Sequence, residues 1–390
     1  MSLSQYQLDH VRCLQLASEL LGEPARPIDF DWEVRRLVER SVRLETRRGI
    51  AAEHALVRFG ACEKGHSLQM GLERYRCRLG EHTFRLVSVV APFTDYDSHA
   101  FWATPESEYL RLYRALRREL RRELRQPPPI MREEQRRRLW DNTIGFLHHG
   151  RELLSRFGVA QKRGVLLLGE PGNGKTTACR WLRYECSRHG FGWRSVSAEA
   201  FEEARSSGEA HELFELDRPG VVVFDDVDMA VRDRGQFDQC GMQSTFLGGL
   251  DGLETRCGVV YLFTSNARQS SLDPAFLRPG RIDLVMSFPR PDADLRRRLI
   301  ESWHAEIVCQ LELERLIAET EGCSFAEVDE IKKLLVLGYV DQERWDLDAA
   351  LHGFRESRNA SNKGGAIGFQ LSAAGADRKQ WPAAPAAQTR

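Results

Sequence analysis

The eight residues Gly169-Glu170-Pro171-Gly172-Asn173-Gly174-Lys175-Thr176 constrain this chain more than any other feature. They fit G-x-x-x-x-G-K-[ST] without a mismatch, follow the apolar run Val165–Leu168 and open a helical stretch, which is the context the pattern requires. Glycines there let the backbone turn tightly, so several N–H groups converge on phosphate oxygens at the positive end of a helix. Lys175 adds a mobile charge for the outer phosphates, and the Thr176 hydroxyl suits a magnesium ion. With Thr177 next in line, Gly169 to Thr177 are the candidate phosphate-contacting residues.

Three further segments carry chemistry. Val221-Val222-Val223-Phe224 has the pattern of a buried strand and ends in Asp225-Asp226. A carboxylate delivered at the carboxyl end of such a strand is how phosphate-loop proteins hold the magnesium shell. Asp225 is the candidate metal ligand, and Asp226 the residue that polarises or orients the attacking water. An acidic turn after a strand is common by itself; the phosphate loop upstream gives this one weight. Val260–Phe263 reads as the next core strand, closed by Thr264-Ser265-Asn266. Asn266 at that point can hydrogen-bond a γ-phosphate or a water, although an Asn after a strand is also an ordinary turn residue. Finally, LDPAFLRPGRID (272–283) sets Arg278 and Arg281 three apart in a turn stiffened by Pro and Gly. That arrangement suits presentation of guanidinium groups to phosphate. In isolation, a structural salt bridge is the better reading of either arginine.

A chain of 390 residues has room for two or three domains, and 42% hydrophobic with 29% charged residues is ordinary for a globular protein. The net charge of −1 favours neither nucleic acid nor an acidic partner. Nine cysteines stand singly with no Cys-x-x-Cys pair, which argues against a zinc site and a disulfide framework. No signal-peptide pattern opens the sequence and no apolar run is long enough to cross a bilayer, so a reducing, cytoplasmic setting without a membrane partner is expected.

Residues 1–125 read as a small mixed α+β domain. Its strands are expected over Leu56–Cys62, Leu72–Leu79 and Thr83–Ala91, with Gly80-Glu81-His82 as a hairpin turn, followed by a helix over 104–125. Gln126-Pro127-Pro128-Pro129 interrupts that helix and marks a boundary. Over 126–290 strands alternate with helices, which predicts an α/β layer with a parallel sheet covered on both faces. Residues 291–358 read as wholly helical, with a capping box at Ser324 and Glu327, and 359–390 are expected to be disordered. One basic run stands out, Arg111, Arg114, Arg117, Arg118, Arg121, Arg122 and Arg125 with Arg136–Arg138. It reads as a solvated helix face offset by Glu119, Glu123, Glu133 and Glu134, because aromatics are not interleaved as in a base-stacking platform.

Taken in order and spacing, these segments resemble the AAA+ ATPases over about residues 130–345, and within them the AAA subgroup of hexameric and heptameric remodelling machines. GEPGNGKT stands as Walker A, VVVFDD as Walker B, Asn266 as sensor 1, and FLGGLDGLE (246–254) also has the family's look. The resemblance implies a P-loop NTPase sheet with a helical lid, ATP and Mg2+ as ligands, and Arg278 and Arg281 acting in trans on ATP of the next subunit. Arg297, Ile300 and His304 fit a lid spacing that would bring His304 near the nucleotide, and Thr320–Ala326 looks like a sensor-2 region lacking its arginine. Two departures stand out. Asp226 replaces the usual Glu of Walker B, and Arg205-Ser206-Ser207-Gly208 lacks the aromatic of a threading pore loop. Both departures, and the run over Thr143–Gly164, look similar to the branch of the mitochondrial Rieske-protein translocase, whose membrane anchor is not found here.

The expected function is therefore a ring-forming ATPase that remodels or disassembles a protein client. A nucleic-acid-associated ATPase, tied to the arginine-rich helix, and an ATP-switched scaffold with slow hydrolysis are the alternatives.

Overall fold

The computed structural model describes residues 10–28, 32–49, 57–58, 67–68, 71–90, 100–159, 161–228, 240–251, 258–278 and 280–362. The chain begins with α1 (His10–Leu21), β1 (Ala25–Ile28), α2 (Trp32–Ser41) and β2 (Val42–Gly49). Then come the short pair β3 (Val57–Arg58) and β4 (Ser67–Leu68), followed by β5 (Gly71–Leu79), β6 (His82–Val90), β7 (Ala100–Pro105) and α3 (Glu106–Glu123). Five of these strands make an antiparallel sheet in the order β1-β7-β6-β5-β2.

Successive side chains of a strand point to opposite faces, and β6 uses both. Phe84 and Leu86 pack with Leu112, Leu116 and Leu120 of α3 on one face, while Val87 and Val89 pack with Cys13, Leu16 and Ala17 of α1 on the other. The expected strands at 72–79 and 83–91 and the turn between them are therefore present within a residue or two. Of the expected strand over 56–62, only Val57 and Arg58 fall among the described residues.

Beyond the prolines come α4 (Glu133–Asp141), a π-helical turn at Phe146–Gly150 and α5 (Arg151–Arg156). The central layer is β8 (Lys162–Leu168), α6 (Lys175–His189), β9 (Gly192–Val196), α7 (Ala198–Ser207), β10 (Gly220–Phe224), α8 (Cys240–Asp251), β11 (Val259–Ser265) and β12 (Leu284–Ser287). Its strands are parallel, in the order β12-β8-β11-β10-β9. Every residue of β10 and β11 is buried, as the continuous apolar runs require of a parallel sheet with both faces covered.

Again the faces alternate. Val165, Leu167, Val221, Val223, Val260 and Leu262 pack against Ala178, Trp181 and Leu182 of α6. Leu166, Leu168, Val222, Phe224, Tyr261 and Phe263 meet a cluster centred on Phe246, with Phe201, Phe214 and Phe276 around it. Phe246 is 1% exposed, so truncation to Ala would cost about 3–5 kcal/mol.

The last segment is all helical: α9 (Ala293–Glu301), α10 (Ala305–Val308), α11 (Leu313–Glu319), α12 (Phe325–Gln342) and α13 (Leu347–Asn362), packed around Ile300, Leu316, Val328 and Ile331. The Ser324 hydroxyl accepts from Glu327 N at 3.2 Å and Glu327 Oε2 accepts from Ser324 N at 2.7 Å, which is the expected capping box. α13 runs to Asn362, so residues 359–362 are helical where disorder was expected; the rest of that expectation, 363–390, lies outside the described residues. Among the described residues no helix is long and apolar enough to cross a membrane.

Candidate nucleotide site

The β8–α6 junction builds the centre of the site. Gly172 and Gly174 have φ of 80° and 92°, a region L side chains rarely enter. Gly172 is doubly constrained, since a Cβ there would stand 2.8 Å from Ala326 Cβ. The first bond of α6 is Ala178 N to Gly174 O at 2.9 Å, and the N–H groups before it have no intrahelical acceptor. A positive helix end thus opens at the loop.

Lys175, only 7% exposed, turns its ammonium into this space. It donates to Gly169 O at 2.5 Å, Glu170 O at 3.2 Å and Asn266 Oδ1 at 2.8 Å. Burial pushes the ammonium below the ordinary lysine range, and the carboxylates of Asp226, Asp228 and Asp225 pull it partly back. Asn266 Nδ2 donates in turn to Asp226 Oδ1 at 2.8 Å. Lys175, Asn266 and Asp226 therefore form one hydrogen-bonded line across the ends of β8, β11 and β10.

Asp225 and Asp226 leave the carboxyl end of β10. Thr264 links them, its hydroxyl donating to Asp225 Oδ1 at 2.5 Å and accepting from Asp226 N at 3.0 Å. Asp226 has a φ of 54°, a left-handed conformation that Asp and Asn tolerate better than longer side chains do. The backbone thus accounts for the short acid at this position. Asp228 accepts from Ser265 Oγ at 2.5 Å and from Asn266 N at 2.7 Å, which holds the asparagine in its line.

A cleft of about 320 Å³ gathers Pro171, Gly172, Asn173, Gly174, Lys175, Thr176, Thr177, Asp225, Asp226, Thr264 and Asn266. Phe325, Ala326 and Asp329 of α12 line the same cleft. Ala326 N donates to Gly172 O at 3.1 Å, and Arg290 Nε donates to Glu170 Oε2 at 2.8 Å, so the lid helix and the segment before it lie directly on the loop. A second cleft of about 330 Å³ adjoins the first, shares Asn173 and Phe325 with it, and is closed by Met131, Arg132, Phe288 and Asp292 among others.

These residues fit a magnesium nucleotide on two observations. Asn173 is 2% exposed, yet neither its amide nitrogen nor its oxygen has a partner, a cost that a polar ligand would remove. The donor set for a metal, the Thr176 hydroxyl with the Asp225 carboxylate, is the hard-oxygen kind that magnesium takes together with phosphates and water.

Three sequence-based candidates fall elsewhere. Arg281 is held within its own chain: Nε donates to Asp251 Oδ1 at 2.8 Å, Nη2 to Asp251 Oδ2, and Nη1 to Ala275 O at 2.7 Å. Its geometry is the salt-bridge alternative. Arg278 is exposed, its carbonyl accepting from Arg281 N at 3.1 Å while its side chain makes no hydrogen bond or ion pair with a described residue, and Pro279 beside it lies outside the described residues. His304 corrects its expectation. α9 stops at Glu301, so His304 falls past the helix, where Nδ1 accepts from Glu306 N at 3.4 Å as the N-cap of α10, solvent-exposed and away from the cleft lining.

Phe325 and Ala326 fall in the stretch that resembles a sensor-2 region, whereas Asp228, Asp329 and Arg290 had no expected role. The third carboxylate of Asp225-Asp226-Val227-Asp228 was a usable signal, and Asp329 comes to the loop from about 150 positions away.

The family model of the ATPase family associated with various cellular activities (AAA) matches residues 165–290. The chain is similar to the ATPase family gene 2 protein of Schizosaccharomyces pombe, 31% identical over 205 residues, which is 50% of this chain and 25% of that protein. It is 35% identical over 190 residues to the ATP-dependent zinc metalloprotease FtsH 2 of Sphaerobacter thermophilus, 45% of this chain and 28% of that one. The proteasome-activating nucleotidase of Methanoregula boonei is 31% identical over 190 residues, 45% of this chain and 43% of its own length. The chain thus spans from a quarter to under half of these relatives. Its central layer, with the phosphate loop, the acid pair after β10 and Asn266 at the end of β11, is an AAA ATPase domain.

Proposed function

We propose that this chain hydrolyses ATP with Mg2+, in a ring of six or seven copies, and uses the reaction to remodel or disassemble a protein client. The observation that carries the reading is the line Lys175–Asn266–Asp226, which aims one cation, one amide and one carboxylate into a single cleft. The N–H groups from Gly172 to Thr176 and the Lys175 ammonium bind phosphate, and the base occupies the adjoining cleft against Phe325. Thr176 and Asp225 hold the metal, which when bound neutralises charge on the outer phosphates. Asp226 orients the attacking water and takes up its proton, and Asn266 fixes the position of that carboxylate.

Arg278 is the arginine we assign to the neighbouring subunit's site, because Arg281 is already committed to Asp251. We divide the chain into a partner-selecting layer at 1–125, the ATPase core at 126–290 and a lid at 291–358. The acid pair Asp225-Asp226 and the run Thr143–Gly164 support an affinity with the Rieske-protein translocase branch. An ATP-switched scaffold with slow hydrolysis is the second reading, favoured by the short acid at 226.

ATP turnover per subunit, measured against protein concentration with mass recorded in parallel, tests the proposal. Turnover should rise steeply as a six- or seven-subunit species appears, and Lys175→Ala should abolish nucleotide binding in calorimetry. A flat, monomeric turnover would remove the ring and Arg278's role. Retained affinity in Lys175→Ala would move the site elsewhere.

A further inference from the structure

The balance of charges along α3 changes once the helix is folded. In sequence, its six arginines, with Arg125 just past its end, are interspersed with Glu106, Glu108, Glu119 and Glu123. In the structure, three of these acids are spent on other partners: Glu106 on Arg26 at 3.0 Å, Glu108 on Arg85 at 2.7 Å, and Glu123 on Arg40 at 2.8 Å. Nearby Glu185 of α6 pairs with Arg188 at 2.9 Å. Arg111, Arg114, Arg118, Arg122 and Arg125 are left exposed, and none pairs with a described carboxylate. Their spacing of three, four, four and three residues puts them in one stripe. At about 1.5 Å per residue that stripe is roughly 20 Å long.

Apolar and aromatic groups flank it. Leu110 is 60% and Tyr113 44% exposed. Tyr109 and Tyr113 stack with ring centroids 6.4 Å apart and planes 17° from parallel. The Arg26 guanidinium lies 4.0 Å over the first ring and that of Arg117 5.3 Å over the second. The linear sequence suggested arginines without interleaved aromatics; one helical turn between Tyr109 and Tyr113 sets two rings side by side next to Arg117, at the margin of the exposed face opposite the basic stripe.

We propose that this face of α3 binds single-stranded nucleic acid. An unopposed row of guanidinium groups fits a phosphodiester backbone, and rings with stacked guanidinium planes fit unpaired bases. An acidic polypeptide would use the arginines and leave the rings idle, and a duplex would hide its base faces. Arg121 Nε, on the same helix, donates to Ser187 O at 3.1 Å, so the surface adjoins the carboxyl end of the helix that Lys175 begins.

The test uses the full chain and a fluorescein-labelled oligothymidylate of about 20 nucleotides, longer than a single-module site. Anisotropy is read between about 50 and 200 mM salt. Five phosphate contacts give a slope of log K on log salt near −3.5, a loss of roughly a hundredfold in affinity over that range. The triple variant Arg111→Gln, Arg114→Gln, Arg118→Gln should flatten the slope to about −1.4 and weaken binding at least about tenfold at low salt. Tyr113→Ala should weaken it about tenfold with the slope unchanged, since stacking is not ionic. Both variants lie on the surface, and an unchanged thermal midpoint shows that they fold.

Unlabelled oligothymidylate should displace the probe far better than polyglutamate of equal charge or phosphatidylserine vesicles. Absence of binding at low salt would overturn the proposal, as would a slope indifferent to the triple variant. Equal competition by polyglutamate would assign the face to an acidic protein instead, and equal competition by the vesicles to an anionic membrane.

Discussion

Replacing Asp226 by Asn separates chemistry from architecture at this site. The φ of 54° at this position suits Asn as well as Asp, so the backbone has no reason to move. The side-chain oxygen of Asn still accepts from Asn266 Nδ2, now 2.8 Å away, and the link on to Lys175 persists. What disappears is one negative charge and with it a usable proton acceptor. Positioned acid–base groups contribute about 10²–10⁴ in rate, or about 2.7–5.4 kcal/mol at 1.36 kcal/mol per decade. Nucleotide affinity should change by less than about threefold and toward tighter binding, because an exposed charge is largely screened and its sign opposes the phosphates.

Single-turnover hydrolysis of labelled ATP with protein in excess measures the first quantity, and calorimetry with ADP the second. Turnover within about threefold of the parent would refute the assignment of Asp226 to the water. Lost binding would instead show that the residue supports the phosphate loop. The converse change, Asp226→Glu, should lower thermal stability by roughly 1 kcal/mol, since a longer side chain is less tolerant of positive φ.

Arg281→Ala should lower the melting temperature by a few degrees, for it removes a two-pronged pair with Asp251 from a side chain only 14% exposed. Arg278→Ala should leave melting unchanged and abolish hydrolysis in the assembled state; the opposite pattern in calorimetry and turnover would exchange the two roles. The hydrogen bond from Arg281 holds the Asp251 carboxyl below its usual range. A depressed carboxyl stabilises the fold above the ordinary value near 4 and loses that contribution as pH falls through the lowered one. The melting difference between parent and Arg281→Ala should therefore shrink below about pH 4, and by a modest amount, because the Asp251 side chain is 50% exposed. Burial pushes the Cys77 and Cys179 thiols up to about 12, while Cys309 is exposed. Alkylation near pH 8 followed by peptide mass spectrometry should label Cys309 before Cys77 and Cys179, and equal labelling of Cys77 would contradict its burial.

How much was legible beforehand depended on range along the chain. Val165–Leu168, Val221–Phe224 and Val260–Phe263 could be read as one parallel sheet because continuous apolar runs between helical stretches have few other ways to hide both faces. The phosphate loop and the capping box at Ser324 are equally local, each set by a few neighbouring residues whose backbone preferences agree. Asn266 and Asp226 were readable for the same reason, as polar residues at the ends of apolar strands.

What only the tertiary structure decided was the choice among partners. Arg281, expected to present its guanidinium to phosphate, has its Nε and Nη2 on Asp251, thirty residues earlier, and its Nη1 on the Ala275 carbonyl. His304 kept its lid spacing in sequence, but α9 ended three residues too soon to carry it to the cleft. Phe325, Ala326 and Asp329 reached the loop because helix packing folded the lid back onto it. Glu123, counted in sequence as offsetting the arginines of α3, turned to Arg40 of α2. Secondary structure follows from short-range sterics and periodicity that a sequence displays directly. Ion pairs and clefts depend on which of several chemically equivalent groups the packed core brings within three or four ångströms, and composition does not reveal that.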